Sequence, residues 1–192
     1  MVQVKKKQVR QAILDSAYDL FSERGYHSTT LQEVAELAGI GVSSLYSYFP
    51  SKLHLLYAVF EPWHKGEFEE LEKRILKLKS PRDRLFALLL GLWRDIPVTN
   101  IGLTNSLMEA LASADPEQKK PVPLLKWTEE RLIRMLKAAL PDGARLDHDA
   151  LSTLFIMAYD GFVINRRLND LRDIERLSNA MCDILLGPAE KR

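Results

Sequence analysis

The stretch Thr29–Leu56, TTLQEVAELAGIGVSSLYSYFPSKLHLL, decides the fold. It reads as a short helix, a tight turn, a second short helix and the start of a long third one. Thr30 is placed to cap the first helix, and Glu33 three residues later completes a capping box. Leu31, Val34, Ala35 and Ala38 then recur at helical spacing on one face. Gly39 supplies the left-handed conformation that ends this helix and turns the chain. Ala35 is small enough for the next helix to cross close by, with Ile40 and Leu45 filling the wedge. Two short helices crossing steeply over such a turn form a helix-turn-helix, whose second member enters the major groove of DNA.

The second helix, roughly residues 42–49, turns Leu45 and Phe49 inward. Its other side carries Val42, Ser43, Ser44 and Ser47, flanked by Tyr46 and Tyr48. Small hydroxyls and aromatic alcohols suit close approach to base edges and phosphate oxygens. Pro50 ends the helix, and Ser51 caps the next one with Lys52 in its first turn. A helix N-terminus beside an ammonium group is an anion site matched to a backbone phosphate. The hydroxyls of Thr29 and Thr30 offer a second such site. Each residue also has a plain structural reading: Thr30 caps whether or not DNA is near, the serines suit any exposed face, and Tyr48 suits packing. The order of cap, small residue, turn glycine, hydroxyl-rich helix and Pro-Ser-Lys restart is more specific than any one of them.

This stretch resembles the DNA-binding head of the TetR family of bacterial transcriptional regulators. Thr30, Val34, Ala35, Gly39, Leu45, Tyr46, Tyr48, Phe49, Ser51 and Lys52 carry the likeness, with Phe21, Glu23 and Gly25 at the end of the preceding helix. The match is dense over about the first sixty residues and only architectural beyond them. The resemblance implies an all-α homodimer, with a three-helix DNA-binding head over residues 1–50 and an effector-binding, dimerising body over residues 51–192. It gives DNA-contact roles to Thr29, Thr30, Ser44, Tyr46, Ser47 and Lys52. No cofactor is expected. Two positions depart from the family pattern. Gly41 stands where a polar cap is usual, and Val42-Ser43 where a basic or polar residue and a glycine are frequent. Gly41 still caps, more weakly than serine. Val42 offers a thymine methyl contact or none, so the operator of a better-known relative does not transfer.

The bulk composition suits this reading. A chain of 192 residues is long enough to bury roughly 70% of its unfolded surface. Its 46% apolar and 28% charged residues are those of a globular protein. Net charge is only +1, but Lys5, Lys6, Lys7 and Arg10 lead the chain. Such a basic arm, with Lys6 at its centre, either follows DNA phosphates or is a solvated, fraying end. The single cysteine, Cys182, excludes an intramolecular disulfide framework and fits a reducing cytoplasm. It reads as a core or interface residue. The basic start leads into an amphipathic helix rather than a signal peptide, and no apolar run approaches membrane-spanning length.

About nine helices are expected along the chain. The first spans about residues 6–24 and closes at Gly25. The helix from Ser51 towards Leu78 contains Pro62, where a kink is expected, and Gly66 weakens it further. Ser80-Pro81 opens an apolar helix through Leu85, Leu88, Leu89, Leu92 and Trp93. A helix over residues 101–114 follows Pro97, and residues 115–123 read as a mobile loop. Residues 124–140 form a helix with Leu125, Leu132, Met135, Leu136 and Ala139 inward, broken by Pro141-Asp142-Gly143. Asp147 caps a helix to about Leu168, and Asp170 caps the last, which Gly187-Pro188 stops.

The last two helices carry more apolar surface than one inward face can use, so a second copy is expected to cover the remainder. Phe162, Leu171, Ile174, Leu177, Met181 and Leu185 are the expected dimer interface, and Gly161 suggests close backbone approach. The alternative is a deep-core helix in a monomer. An effector pocket is expected around Trp63, Phe86, Trp93, Asn105, Met108, Trp127, Phe155 and Tyr159, although aromatics at helical spacing are usually core. His64, Arg94, Asp160 and Asn165 are candidate orienting groups. Two effector classes fit: a fatty acyl group, with coenzyme A phosphates near Lys119, Lys120 or Arg131, and a flat aromatic molecule.

The expected function is a ligand-responsive repressor of transcription, released from a double-stranded operator when a small apolar effector binds. The alternative is an effector-independent DNA-binding factor acting through protein partners. An enzyme is disfavoured. His27, His54, His64 and His148 form no metal-spaced pair, and neither a phosphate-cradling glycine loop nor a nucleophile elbow is present.

Overall fold

The computed structural model describes residues 2–114, 122–141, 146–170 and 172–188, and all their regular structure is helical. Lys119, Lys120 and Leu171, together with most of the expected 115–123 loop and the Asp142-Gly143 break, lie outside the described residues. The chain divides into two compact units: residues 1–64 with 100–120, and residues 65–99 with 121–192.

The first unit holds α1 (Val2–Ser28), α2 (Leu31–Leu37), α3 (Val42–Tyr48), the first half of α4 (Lys52–Leu76) and α7 (Ile101–Ser113). Ile13, Ala17, Leu20 and Phe21 of α1 are buried, as the spacing requires. Gly25, at φ 82°, breaks the helical path of α1. The helix starts at Val2 rather than near Lys6, so Lys5, Lys6 and Lys7 lie in its first turns, not on an extended arm. With no acidic residue in the first turn, these ammonium groups oppose the helix dipole, and a nearby polyanion relieves that cost.

Sequence reasoning missed the part played by α7, which it assigned to the body. It packs along α1, and Gly102 is the point of closest approach. Asn100 caps α7 by accepting from the Leu103 N–H at 2.9 Å. The same side chain donates to Tyr18 Oη and Ser22 Oγ on α1. The Ser106 hydroxyl donates to the buried Phe21 carbonyl at 2.8 Å, and Glu109 accepts from the His27 N–H. Gly102, Ser106 and Ala110 recur every four residues, a small-residue stripe that marks close helix approach and was readable in the sequence.

The second unit holds the rest of α4, α5 (Pro81–Leu90), a π-turn (Gly91–Asp95), α6 (Ile96–Thr99), α8 (Val122–Ala139), α9 (His148–Arg167) and α10 (Ile174–Leu186). Ser80 and Pro81 open α5 as expected, with Ser80 Oγ accepting from the Asp83 N–H. Pro97 lies inside helical structure rather than ending it, because the wider π-turn just before it relaxes the i to i+4 pattern that a proline ring obstructs. α4 likewise continues through Pro62.

Leu85, Leu88, Leu89, Leu132, Leu136, Phe155 and Cys182 form the centre of this unit's core. Leu125, expected inward, is 43% exposed, and Leu124 is buried in its place. The two straddle the stripe through Thr128, Leu132 and Met135, and only one side of it meets the core.

Asp147 caps α9, accepting from the N–H groups of Asp149 and Ala150. The expected cap at Asp170 is displaced: Asp173 caps α10, accepting from the Arg176 N–H. Asp170 is still engaged in closing α9, where Asn169 adopts φ 59° and the Asp170 N–H donates to the Asn165 carbonyl. Among the described residues, no helix is long and apolar enough to cross a membrane.

Candidate nucleic-acid interface

The α2–α3 unit is built by local bonds. Thr30 Oγ1 accepts from the Glu33 N–H, and the Glu33 carboxylate accepts from the Thr30 N–H at 2.8 Å. Those bonds from Thr30, backbone first, hold the Glu33 carboxyl below the usual carboxylate range, with Arg24 at 3.0 Å adding to the effect. At the other end of α2, the Gly39 N–H donates to Glu36 and the Ile40 N–H to Ala35. With Gly39 at φ 68°, this is a Schellman closure, and it fixes the angle at which α3 leaves. Gly41 is the N-cap of α3 with no side-chain bond, as expected for glycine there. Ser51 Oγ accepts from the His54 N–H at the start of α4.

Leu45 is fully buried and Phe49 nearly so, which anchors α3 along one side. Arg10 lies over the Phe49 ring at 5.3 Å. On the other side Ser43, Ser44, Tyr46 and Ser47 are exposed, Tyr46 by 52%, while Val42 and Tyr48 are half-buried. The Ser47 hydroxyl donates back to the Ser44 carbonyl at 2.6 Å. A rod with one locked face and one open face of small hydroxyls and a phenol can approach base edges and phosphates closely. Thr30 and Lys6 are exposed in the same unit.

Two expected phosphate contacts look different in the structure. Thr29 is fully buried, and its hydroxyl donates to the carbonyls of Gly25 and Leu20. It therefore locks the α1–α2 turn, and as a DNA contact it is corrected: its hydroxyl is bonded inside the fold. The Lys52 ammonium donates to the Thr29 carbonyl at 2.7 Å and sits 4.3 Å from the Tyr26 ring centre. Burial lowers its pKa. In this conformation Lys52 braces the same turn from α4.

The expected effector residues are distributed over both units. In the first unit, Trp63 packs edge-on to Phe60, His64 stacks on Phe60, and Asn105 and Met108 are half-buried on α7. In the second unit, the Trp93 indole donates to the Phe155 carbonyl at 3.1 Å and meets the Phe155 and Phe162 rings, each at 5.3 Å. Trp127 meets Phe68, and the cations of Lys65 and Arg131 each lie 5.3 Å from its ring centre. Phe86 is half-buried, Tyr159 is buried, and burial raises the Asp160 carboxyl pKa. Arg131, a suggested phosphate partner, instead pairs with Glu72 at 2.9 Å and Glu69 at 3.5 Å. Two acids already neutralise it.

The apolar surface left over by α9 and α10 is not quite the expected set. Phe162 turns towards Trp93, and Ile174, Met181 and Leu185 are half-covered within the chain. Leu177 is 41% exposed, as an interface residue requires. The most open residues are Met157 (64%), Leu168 (72%) and Ile184 (74%), with Leu154 and Ile164 continuing the α9 strip. Leu154, Met157, Gly161, Ile164 and Leu168 follow the alternating three-and-four spacing of a packed helix seam. Among the described residues, nothing lies within 4 Å of a Cβ built at Gly161.

Residues 13–59 match the model of the bacterial regulatory proteins, tetR family. The chain is 34% identical over 117 residues to the HTH-type transcriptional repressor KstR of Rhodococcus jostii, covering 58% of this chain and 53% of that protein. The matched part thus spans about half of that relative's length. The fatty acid metabolism regulator protein of Bacillus subtilis is 26% identical over 187 residues, covering 91% and 92% of the two chains. The solved structure of FadR from Bacillus subtilis in complex with stearoyl-CoA shares the fold, with a TM-score of 0.68 at 19% identity over 94% of this chain and 100% of that one. The capped α2, its glycine closure and the open hydroxyl face of α3 all fall in the segment that matches the tetR family model.

Proposed function

We propose that this protein is an operator-binding repressor that works as a homodimer and releases DNA when a fatty acyl-CoA occupies its body. The observation that carries the DNA half is α3 itself. Leu45 is wholly buried while Ser43, Ser44, Tyr46 and Ser47 face outward from a helix held at both ends by backbone bonds. Thr30, Val42 and Lys6 join these as proposed contacts, and Lys52 is proposed to approach phosphate from its place beside Thr29. The effector class rests on the likeness to the Bacillus subtilis fatty acid metabolism regulator along nearly the whole chain, and on a fold shared with a protein solved with stearoyl-CoA.

Two copies joined along α9 and α10 present two reading helices to one duplex. Release requires the ligand to favour a conformation in which those helices no longer fit successive grooves. A ligand with equal affinity for both states shifts nothing.

The test starts from an operator selected by the purified protein out of fragmented genomic DNA. Stearoyl-CoA is expected to weaken operator binding at least tenfold, about 1.4 kcal/mol, whereas stearate and free coenzyme A do not. Operator affinity indifferent to a series of acyl-CoAs would remove the effector class. It would favour a DNA-binding factor that works through protein partners.

A further inference from the structure

The rod from Pro81 to Thr99 is interrupted by the π-turn Gly91–Asp95, closed by the Ile96 N–H on the Gly91 carbonyl. One extra residue in a turn rotates the side chains that follow, and such turns concentrate at ligand sites. Gly91 belongs to this device, since a Cβ there would lie 2.3 Å from Leu71 Cδ1 and 2.8 Å from Arg74 Nη2. The turn carries Trp93 and Arg94 to the wall of a cleft, which the end of α9 and the start of α10 complete.

Trp93, Phe162 and Ile174 give this cleft an apolar floor, and Arg94, Arg166 and Arg172 give it a basic rim. Its cavity of about 40 Å³ exceeds the roughly 10–15 Å³ that one water needs. That space suits a small oxyanion. Arg94 is held in place by Asp95 through Nε at 2.8 Å and by Glu175 through Nη1 at 2.7 Å. Its Nη2 has no hydrogen-bond partner among the described residues. Arg172 pairs with Asp170 at the rim, whereas Arg166 has no ion-pair partner among the described residues. Asp95 and Glu175 balance Arg94, and Asp170 balances Arg172, so Arg166 is the guanidinium of this lining left without an ion pair among the described residues. Planar N–H forks over an aromatic floor match the oxygens of a phosphate group.

We propose that this cleft binds the phosphate of a phosphorylated ligand, with Arg166 as the principal contact and Arg94 and Arg172 as its flanks. Phe162 and Arg166 lie on a different strip of α9 from Met157, Ile164 and Leu168, so a second copy and the phosphate do not compete for the same face. The site rests on the effector reading only for its consequence at the operator; binding itself stands apart from it.

Calorimetry on the full chain with adenosine 3′,5′-bisphosphate, adenosine and inorganic phosphate tests the site. The bisphosphate is expected to bind at least tenfold more tightly than adenosine. Arg166→Gln is expected to lose at least tenfold of that affinity, and Arg134→Gln on α8 none. Because Arg166 is exposed, its variant should unfold at the wild-type temperature. Inorganic phosphate binding as tightly as the bisphosphate, and lost in Arg166→Gln, supports the site with the free anion as its ligand. Equal affinity for adenosine and the bisphosphate, no binding of either phosphate, or undiminished binding by Arg166→Gln overturns it. Ligand-free operator binding by the same variants separates the two readings, since failure of the repressor reading appears there and leaves the calorimetry untouched.

Discussion

Gly102→Ala is expected to lower the unfolding free energy by about 3 kcal/mol, at the upper end of ordinary overpacking costs. A Cβ at residue 102 would stand 1.7 Å from the Ser22 carbonyl oxygen, a backbone atom with no rotamer to move. The two helices cannot part cheaply either. Ser106 bonds to the Phe21 carbonyl at 2.8 Å on one side of the contact, and Asn100 bonds to Ser22 Oγ at 2.9 Å on the other. Separating them leaves buried donors and acceptors unmatched. Gly66→Ala is the control, because among the described residues nothing lies within 4 Å of a Cβ there. There alanine should stabilise by about 0.8 kcal/mol through helix propensity alone. Urea unfolding of the two variants beside the wild type checks both signs. A Gly102→Ala midpoint equal to the wild type's would mean that α1 and α7 are not packed as described.

Met157→Glu combined with Ile164→Glu is expected to convert a dimer into a monomer with unchanged helix content. Both side chains are open in the single chain, at 64% and 49%, so the substitutions cost little within it. In a two-fold interface each change is made twice. An unpaired charge buried there costs roughly 3 kcal/mol or more. Sedimentation should show half the wild-type mass. Operator affinity should fall at least a hundredfold, because the two half-sites lose the effective concentration that joining them provides. A double variant that stays dimeric would place the interface elsewhere on the chain.

The head was legible because its signals are local. Thr30 with Glu33, Gly39 and Gly41 each act within four residues of their partners, and the structure shows the expected cap, closure and weak cap. What the sequence hid depends on distance or on a choice between equals. Thr29 and Lys52 look like surface polar residues beside a helix start, yet a carbonyl from the Gly25 turn and the Tyr26 ring draw them inward. Asp170 and Asp173 are equally good caps on paper, and the left-handed Asn169 decides between them. α9 is apolar around so much of its circumference that its sequence does not fix which strip faces out. Phe162 meets Trp93 and is half-buried, whereas Met157 is open. Helical spacing alone does not say which rings meet: Trp63 meets Phe60, Trp127 meets Phe68, and Trp93 meets Phe155.

Hydroxyl-radical footprinting on a selected operator tests most directly whether α3 is the reading element of a paired molecule. Two protected patches are expected on one side of the duplex, their centres about one turn, ~34 Å, or a small multiple of it apart. Both should vanish in a Ser44→Asp, Ser47→Asp variant that unfolds at the wild-type temperature, since two carboxylates on that exposed face repel phosphate. Protection without two-fold spacing, or an equally strong footprint from the variant, would contradict the account.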